Sequence, residues 1–161
     1  MSPVETYQSM VSAMGKVQHA TFGLKMQERI YGTFVYSQYE VKLNQKPYQV
    51  YLKCIKPDVG AEVLYKEGMN DGKALVSPHR FPYMTISLDP EGSLIRKHHH
   101  FTLPQTGFDY ARDILLYYER TSKNLFLDKI KPYSRKGFEN YIGFMIDNDQ
   151  FGYINYKIKQ G

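Results

Sequence analysis

The chain has 161 residues, of which 42% are hydrophobic and 23% charged, with 21 Lys and Arg against 16 Asp and Glu. That length allows one domain with a buried core, and the ordinary charge content argues against disorder. No apolar run approaches the ~20 residues of a membrane-spanning helix. The single cysteine, Cys54, excludes an internal disulfide and a cysteine-based zinc site.

The formal net charge of +5 is spread along the chain and does not concentrate in one segment. Even the densest basic stretch, residues 129–136, is interrupted by Pro132 and Ser134. A nucleic-acid-binding surface usually gathers its Lys and Arg on one face or along one helix. We therefore expect no nucleic-acid partner.

Residues 2–5, Ser-Pro-Val-Glu, combine three signals for the start of a helix. Ser2 can cap the helix, Pro3 suits its first position, and Glu5 completes a capping box. Apolar residues then recur at helical spacing as far as Met14, and Gly15 marks the stop. The sequence predicts a short amphipathic helix with one buried face.

From residue 19 the apolar period changes to strict alternation, in one run before Gly32, a second after it and a third after Pro47. Such alternation predicts antiparallel strands with one apolar and one polar face. The first two runs hold ~11 residues each, about twice the usual strand length. We therefore expect a strongly twisted sheet that curls towards a barrel.

Three shorter strands follow. Glu62–Glu67 and Lys73–Pro78 are joined around Asn70-Asp71-Gly72, a strong hairpin signal. Met84–Leu88 is the next strand, and the turn Asp89-Pro90-Glu91-Gly92 closes it.

The remainder of the chain is predicted to be extended at 93–103, then helical, then a hairpin. Residues 106–109 resemble a capping box that opens a second amphipathic helix, which we expect to end near Lys123. The final hairpin comprises residues 141–146 and 151–158 and turns at Asn148-Asp149.

The predicted order of helix, six or so strands, helix and hairpin gives a single α+β domain over residues 1–161. Both helices must bury an apolar stripe, and the concave face of the curved sheet is the available surface. We expect a half-barrel with helices packed on its concave face as a lid. Such an arrangement is either fully packed or holds an apolar cavity.

His98-His99-His100 is the most distinctive cluster of chemically active residues. On a strand, His98 and His100 would share a face and could chelate a metal, but a stable site needs a third or fourth ligand. We therefore expect polar residues on an exposed extended segment and no metal. Cys54 lies on the apolar side of its strand, and we expect a buried, inert thiol.

Catalytic patterns are absent from the sequence. It contains no GxSxG, no HExxH, no glycine-rich phosphate loop and no GxGxxG. We therefore expect no enzymatic activity, no catalytic residue and no cofactor.

Residues 60–73, GAEVLYKEGMNDGK, resemble the signature of a bacterial family of domains of unknown function, number 1571 in that series. The resemblance covers about residues 5–125, and four further segments support it: Met26–Arg29, Lys46–Lys53, Ser87–Gly92 and Thr102–Phe108.

That resemblance implies a secreted or periplasmic protein with a fold like the lipoprotein carrier LolA. In LolA-like proteins a curved antiparallel sheet and a helical lid enclose an apolar cavity for acyl chains. The sequence opens without the apolar region of a signal peptide, as expected of a mature chain with an added Met1.

Residues 156–161, Tyr-Lys-Ile-Lys-Gln-Gly, resemble the opening of a LysM peptidoglycan-binding motif. The alternative interpretation is a last strand followed by a polar tail. If the resemblance holds, a cell-wall-binding segment continues beyond Gly161.

The leading hypothesis is a non-enzymatic cell-envelope protein that binds a lipid, or the acyl chain of a lipoprotein, between sheet and helices. The expected cavity lining is the alternating apolar set of the sheet with the stripe of the second helix: Phe22, Leu24, Met26, Val35, Tyr39, Val41, Val50, Leu52, Phe108, Leu115 and Tyr118. These residues are equally candidates for a packed core. The alternative function is a structural or adaptor module with a filled core, tethered to peptidoglycan through the LysM-like segment.

Overall fold

The computed structural model describes residues 2–81, 83–133, 141–148 and 152–159. The chain divides into two compact units. The sheet unit comprises residues 17–107, and the helical unit comprises residues 1–16 together with 108–161.

The sheet unit contains six antiparallel strands, each paired with the next along the chain. They are β1 (His19–Ile30), β2 (Thr33–Gln45), β3 (Tyr48–Lys56), β4 (Glu62–Lys66), β5 (Ala74–Ser77) and β6 (Ile86–Leu88). The alternation of apolar residues in the sequence thus correctly predicted an antiparallel sheet, and the α+β class is confirmed. β6 is shorter than the predicted strand, because it begins at Ile86 instead of Met84.

The strand register gathers apolar side chains on one face of the sheet. One row of paired residues crosses all six strands: Phe22, Val41, Leu52, Val63, Val76 and Ile86. Paired residues of neighbouring strands point to the same side, and alternate residues of a strand share that side. The eight sheet residues of the expected lining, Phe22 to Leu52, therefore lie on this apolar face.

The segment between β6 and the second helix differs from the prediction. Residues 93–98 form consecutive turns instead of an extended strand, and the amide of His99 donates to the carbonyl oxygen of Arg96 at 2.9 Å. A short 3₁₀-helix follows at Leu103–Gln105, and its capping box pairs Thr102 with Gln105. Because the histidines do not lie on a strand, the expectation that His98 and His100 share a strand face is wrong.

The helical unit begins with α1 (Pro3–Met14), and its predicted capping box is confirmed: the Glu5 amide donates to Ser2 Oγ at 3.2 Å. The second helix, α2 (Phe108–Asp128), ends five residues beyond the predicted Lys123. A three-stranded antiparallel sheet completes the unit, in the order β7 (Ile130–Tyr133), β8 (Tyr141–Asn148) and β9 (Gly152–Lys159). The two hairpin strands are confirmed and β7 was not predicted. The turn at residues 149–151, the basic residues 135 and 136, and the last two residues of the LysM-like segment lie outside the described residues.

The core of the helical unit joins α1, α2 and β7. Its buried residues are Tyr7, Val11, Met14, Leu115, Phe126 and Ile130. The rings of Tyr7 and Phe126 meet edge to face with centroids 5.4 Å apart. The apolar stripe of α2 therefore packs on α1 and β7, two partners that the sequence analysis did not assign to it.

Among the described residues, no helix is both long enough and apolar enough to cross a membrane.

A candidate ligand cavity in the sheet unit

The sheet unit holds a cavity of about 270 Å³ on the apolar face of its sheet. The strands contribute Leu52, Val63, Val76, Ile86 and Leu88, and Leu94 and Ile95 come from the turns after β6. We call residues 93–100, which contribute both apolar and polar lining, the covering segment. The lining is mostly apolar, and its polar groups form two neighbouring clusters.

The first cluster, which we call the polar rim, consists of Asp58, Arg80, Lys97 and His98. The Asp58 carboxylate accepts from Arg80 and from Lys97, each at 2.7 Å, and His98 Nε2 lies 3.4 Å away. The side chains of Arg80 and Lys97 are 60% and 46% exposed, so the rim faces solvent.

The charge state of the rim follows from its contacts. Burial acts to raise the pKa of Asp58, but the hydrogen bonds and charges of Lys97 and Arg80 outweigh it and hold this pKa below its usual value. Burial and the neighbouring Lys97 charge lower the pKa of His98. At neutral pH the rim therefore carries one negative and two positive charges, with a neutral imidazole.

The second cluster is a more buried chain of hydrogen bonds that runs from Glu28 through His99 and Tyr39 to Cys54. The Glu28 carboxylate contacts His99 Nδ1 at 2.9 Å, and His99 Nε2 contacts the Tyr39 hydroxyl at 2.5 Å. Because the carboxylate must accept, His99 Nδ1 donates to Glu28, and in the tautomer with its proton on Nδ1 the Nε2 atom accepts from the Tyr39 hydroxyl. The Tyr39 oxygen in turn hydrogen-bonds with the thiol of Cys54, its cross-strand neighbour.

The covering segment is attached by hydrogen bonds to β1 and β2, the first two strands of the sheet. The second Glu28 oxygen accepts from the His100 amide at 3.0 Å, and His100 Nε2 lies 2.9 Å from the carbonyl oxygen of Arg29. His98, His99 and His100 thus have three different sets of partners. Among the described residues, no group of three or more His, Cys, Asp or Glu side chains is arranged to hold a metal ion.

The Cys54 thiol and the Tyr39 phenol of this hydrogen-bond chain are poor nucleophiles. Cys54 is buried, and burial raises the pKa of its thiol above the usual value. Burial also raises the pKa of Tyr39, and the neighbouring Cys54 adds to the effect. Both groups remain protonated at neutral pH, as the interpretation of Cys54 as an inert thiol requires.

The residues predicted to line the cavity lie in both units: eight in the sheet unit and three in the helical unit. Tyr39 and Leu52 line the cavity, and Val41 and Val50 are fully buried in the sheet unit. Phe22, Leu24, Met26 and Val35 are half-buried on the same face. Leu115 is fully buried in the helical core, and Phe108 and Tyr118 pack against it.

Sequence reasoning missed most of the cavity lining. The residues not anticipated are Val63, Val76, Ile86, Leu88, Leu94, Ile95 and the polar rim. In β4 and β5 the adjacent apolar pairs Val63-Leu64 and Leu75-Val76 interrupt the alternation, so the sequence pattern did not decide which residue of each pair faces the cavity. The adjacent pair Leu94-Ile95 in an otherwise polar segment was the available signal for an apolar cover.

Comparison with known proteins gives a family but no relative of known activity. No curated protein matches the chain, and no solved structure matches it. A family model, described as protein of unknown function (DUF1571), matches residues 17–131, which include the whole sheet unit and α2. The chain therefore belongs to the DUF1571 family of proteins of unknown function.

Proposed function

We propose that the sheet unit binds a single acyl chain in the apolar cavity. The observation that carries the proposal is the cavity itself, whose walls are Leu and Ile residues of the covering segment and Val, Leu and Ile residues of the sheet. A volume of 270 Å³ lies just below the usual range for ligand sites, which begins at about 300 Å³. A methylene group takes up about as much space as a water molecule, roughly 30 Å³, so the cavity accommodates about nine carbons.

Its size also sets an upper limit on affinity. Each buried methylene contributes about 0.8 kcal/mol, so nine contribute about 7 kcal/mol. That corresponds to a Kd of about 7 µM at best, before the cost of immobilising the chain. We therefore expect reversible binding of one short chain or of one segment of a longer chain.

The polar groups support a binding role without a chemical reaction. Cys54 and Tyr39 are protonated, and the chain from Cys54 to Glu28 satisfies its own donors and acceptors. The resemblance to LolA-like carriers favours an acyl ligand as well, and with it a protein of the periplasm or cell envelope. In this proposal the protein is a carrier or receptor for acyl chains and not an enzyme.

Native mass spectrometry of the purified protein, before and after incubation with 1-decanol and decanoate, tests the proposal. We expect a stoichiometric adduct that disappears on acid denaturation. Organic extraction of protein as isolated then identifies any acyl compound that it carries. A mass that remains that of the protein alone after both incubations would overturn the proposal and favour an adaptor with a filled core.

A pair of neighbouring substitutions on β5 locates the binding. Val76→Phe replaces a small side chain in the cavity by an aromatic ring, whereas Leu75→Phe introduces the same ring on the opposite, exposed face of the sheet. We expect Val76→Phe to abolish the adduct with little loss of stability, because the ring fills empty space instead of overpacking a core. Leu75→Phe should retain it. Equal binding by both variants would place the ligand elsewhere.

A further inference from the structure

We propose that the polar rim binds the head group of the chain in the cavity, so that the ligand is a single-chain amphiphile with an anionic oxygen head. The inference rests on the proposed function, because it names the class of ligand that the same cavity accepts. The inference follows from the position of Arg80 and Lys97 at the cavity and from the N–H donors that each keeps after its bond to Asp58.

The rim has more donors than its own acceptor can use. One carboxylate, that of Asp58, holds both Arg80 and Lys97 at 2.7 Å. Guanidinium has five N–H groups and ammonium has three, so each cation keeps further donors after its bond to Asp58. Carboxylate and phosphate oxygens are the acceptors that match such donors best.

The head and the tail of such a ligand would contact consecutive residues. Leu94 and Ile95 form part of the apolar wall, and Lys97 and His98 belong to the polar rim two residues further on. Asp58, Arg80 and the strand residues Val63 and Val76 line the same cavity. An amphiphile can therefore place its tail against the wall and its head at the rim without a change in the fold.

The rim also discriminates against other head groups. A neutral hydroxyl can accept a hydrogen bond there but forms no ion pair, and a cationic head is repelled by the positive excess of the rim. A fatty acid and an alkyl phosphate present the same anionic oxygens, so the structure assigns this shared chemistry to the ligand. Separate titrations then distinguish the two sources.

Isothermal titration calorimetry of the full chain at pH 7 compares decanoate, decyl phosphate, 1-decanol, decyltrimethylammonium and acetate. We expect decanoate or decyl phosphate to bind about tenfold more tightly than 1-decanol, the size of two partly exposed ion pairs. This advantage should shrink as salt is added, because exposed charges are screened. The tighter of the two anions identifies the head.

The other outcomes separate the two proposals. Equal affinity for decanoate, decyl phosphate and 1-decanol would overturn the head-group inference and leave the acyl cavity intact. Absence of binding by all four decyl compounds would overturn both. Acetate binding as tightly as decanoate would show a small-anion site and would also overturn the inference.

Two double variants of equal charge change provide the matched control. Arg80→Gln with Lys97→Gln removes both rim cations, whereas Lys25→Gln with Lys66→Gln removes two exposed lysines elsewhere on the sheet. The rim variant should lose about tenfold in affinity for the anion and none for 1-decanol, and the control should change neither. The same loss in both variants would show a general charge effect and would refute the assignment.

A single substitution gives a test in the opposite direction. Asp58→Asn removes the negative charge that now occupies both cations and keeps the cations themselves. We expect affinity for decanoate to increase several-fold while affinity for 1-decanol stays unchanged. A decrease in decanoate affinity, with circular dichroism that matches the wild type, would contradict the proposed role of the rim.

Discussion

The hydroxyl of Tyr39 holds the covering segment, and its removal gives the most direct test of that packing. Tyr39→Phe keeps the ring and deletes the donor to His99 Nε2. The His99 and Glu28 side chains are only 14% and 10% exposed, so water does not readily replace the lost partner. An unsatisfied acceptor in such a place costs about 1–3 kcal/mol.

This loss should appear as local opening of the covering segment. If the free energy of opening falls by about 2 kcal/mol, hydrogen exchange becomes about 30-fold faster at the amides that are hydrogen-bonded within and next to the covering segment. The reporting amides are those of Arg96, His99, His100 and Leu103, which donate to Gly92, Arg96, Glu28 and Pro90.

Hydrogen exchange measured by mass spectrometry, on peptides covering 93–103 and 48–56, separates this local effect from general destabilisation. Tyr36→Phe is the control, because Tyr36 lies on the same strand but on the opposite, exposed face. We expect Tyr39→Phe to accelerate exchange in 93–103 and to leave β3 little changed. Unchanged exchange in 93–103, or equal acceleration in both variants, would refute the role given to the hydroxyl.

Three further predictions concern stability. Leu115→Ala should lower the free energy of unfolding by about 2–5 kcal/mol in urea denaturation followed by circular dichroism, because Leu115 is fully buried; a loss below 1 kcal/mol would contradict that packing. Gly60→Ala should lower the free energy of unfolding more than Gly68→Ala does. Both glycines have φ near +80°, but only at Gly60 would an added Cβ lie 2.6 Å from the His79 side chain. Equal losses of stability would show that the His79 side chain moves away and relieves the contact. Burial lowers the pKa of His98 from its usual 6.5, so on acidification the unfolded chain takes up the proton before the folded chain does. The free energy of unfolding should therefore fall as the pH drops below about 6.5, and it should fall less steeply in His98→Gln. Parallel plots of unfolding free energy against pH for the two proteins would contradict this prediction.

The parts of the fold that were predicted correctly are those specified by local patterns. Strict alternation identified β1 to β3, and the capping box at Ser2 and Glu5 located the start of α1. Both signals arise within a few residues of the structure that they predict.

The covering segment was predicted wrongly because long-range contacts determine its conformation. Its backbone closes local turns, and its histidines bond with Glu28, Arg29 and Asp58, between 40 and 72 residues away. No periodicity reports such contacts. The polar rim was missed for the same reason, since Asp58, Arg80 and Lys97 come from three different loops.

β7 was missed because its own sequence argues against a strand. Pro132 lacks the amide that a strand interior normally donates. β7 forms one edge of its three-stranded sheet, where a proline can direct its missing donor away from the neighbouring strand.

The division of the chain also has a consequence for how it can be cut and synthesised. The helical unit is discontinuous in sequence, since residues 17–107 interrupt it. A fragment cut at the family-matched bounds, 17–131, lacks Tyr7, Val11 and Met14, three of the six buried residues of the helical core. During synthesis α1 leaves the ribosome first but gains its partners only after α2 has followed, about a hundred residues later. The sheet unit can fold in that interval, so we expect the helical core to close last, after the sheet has formed.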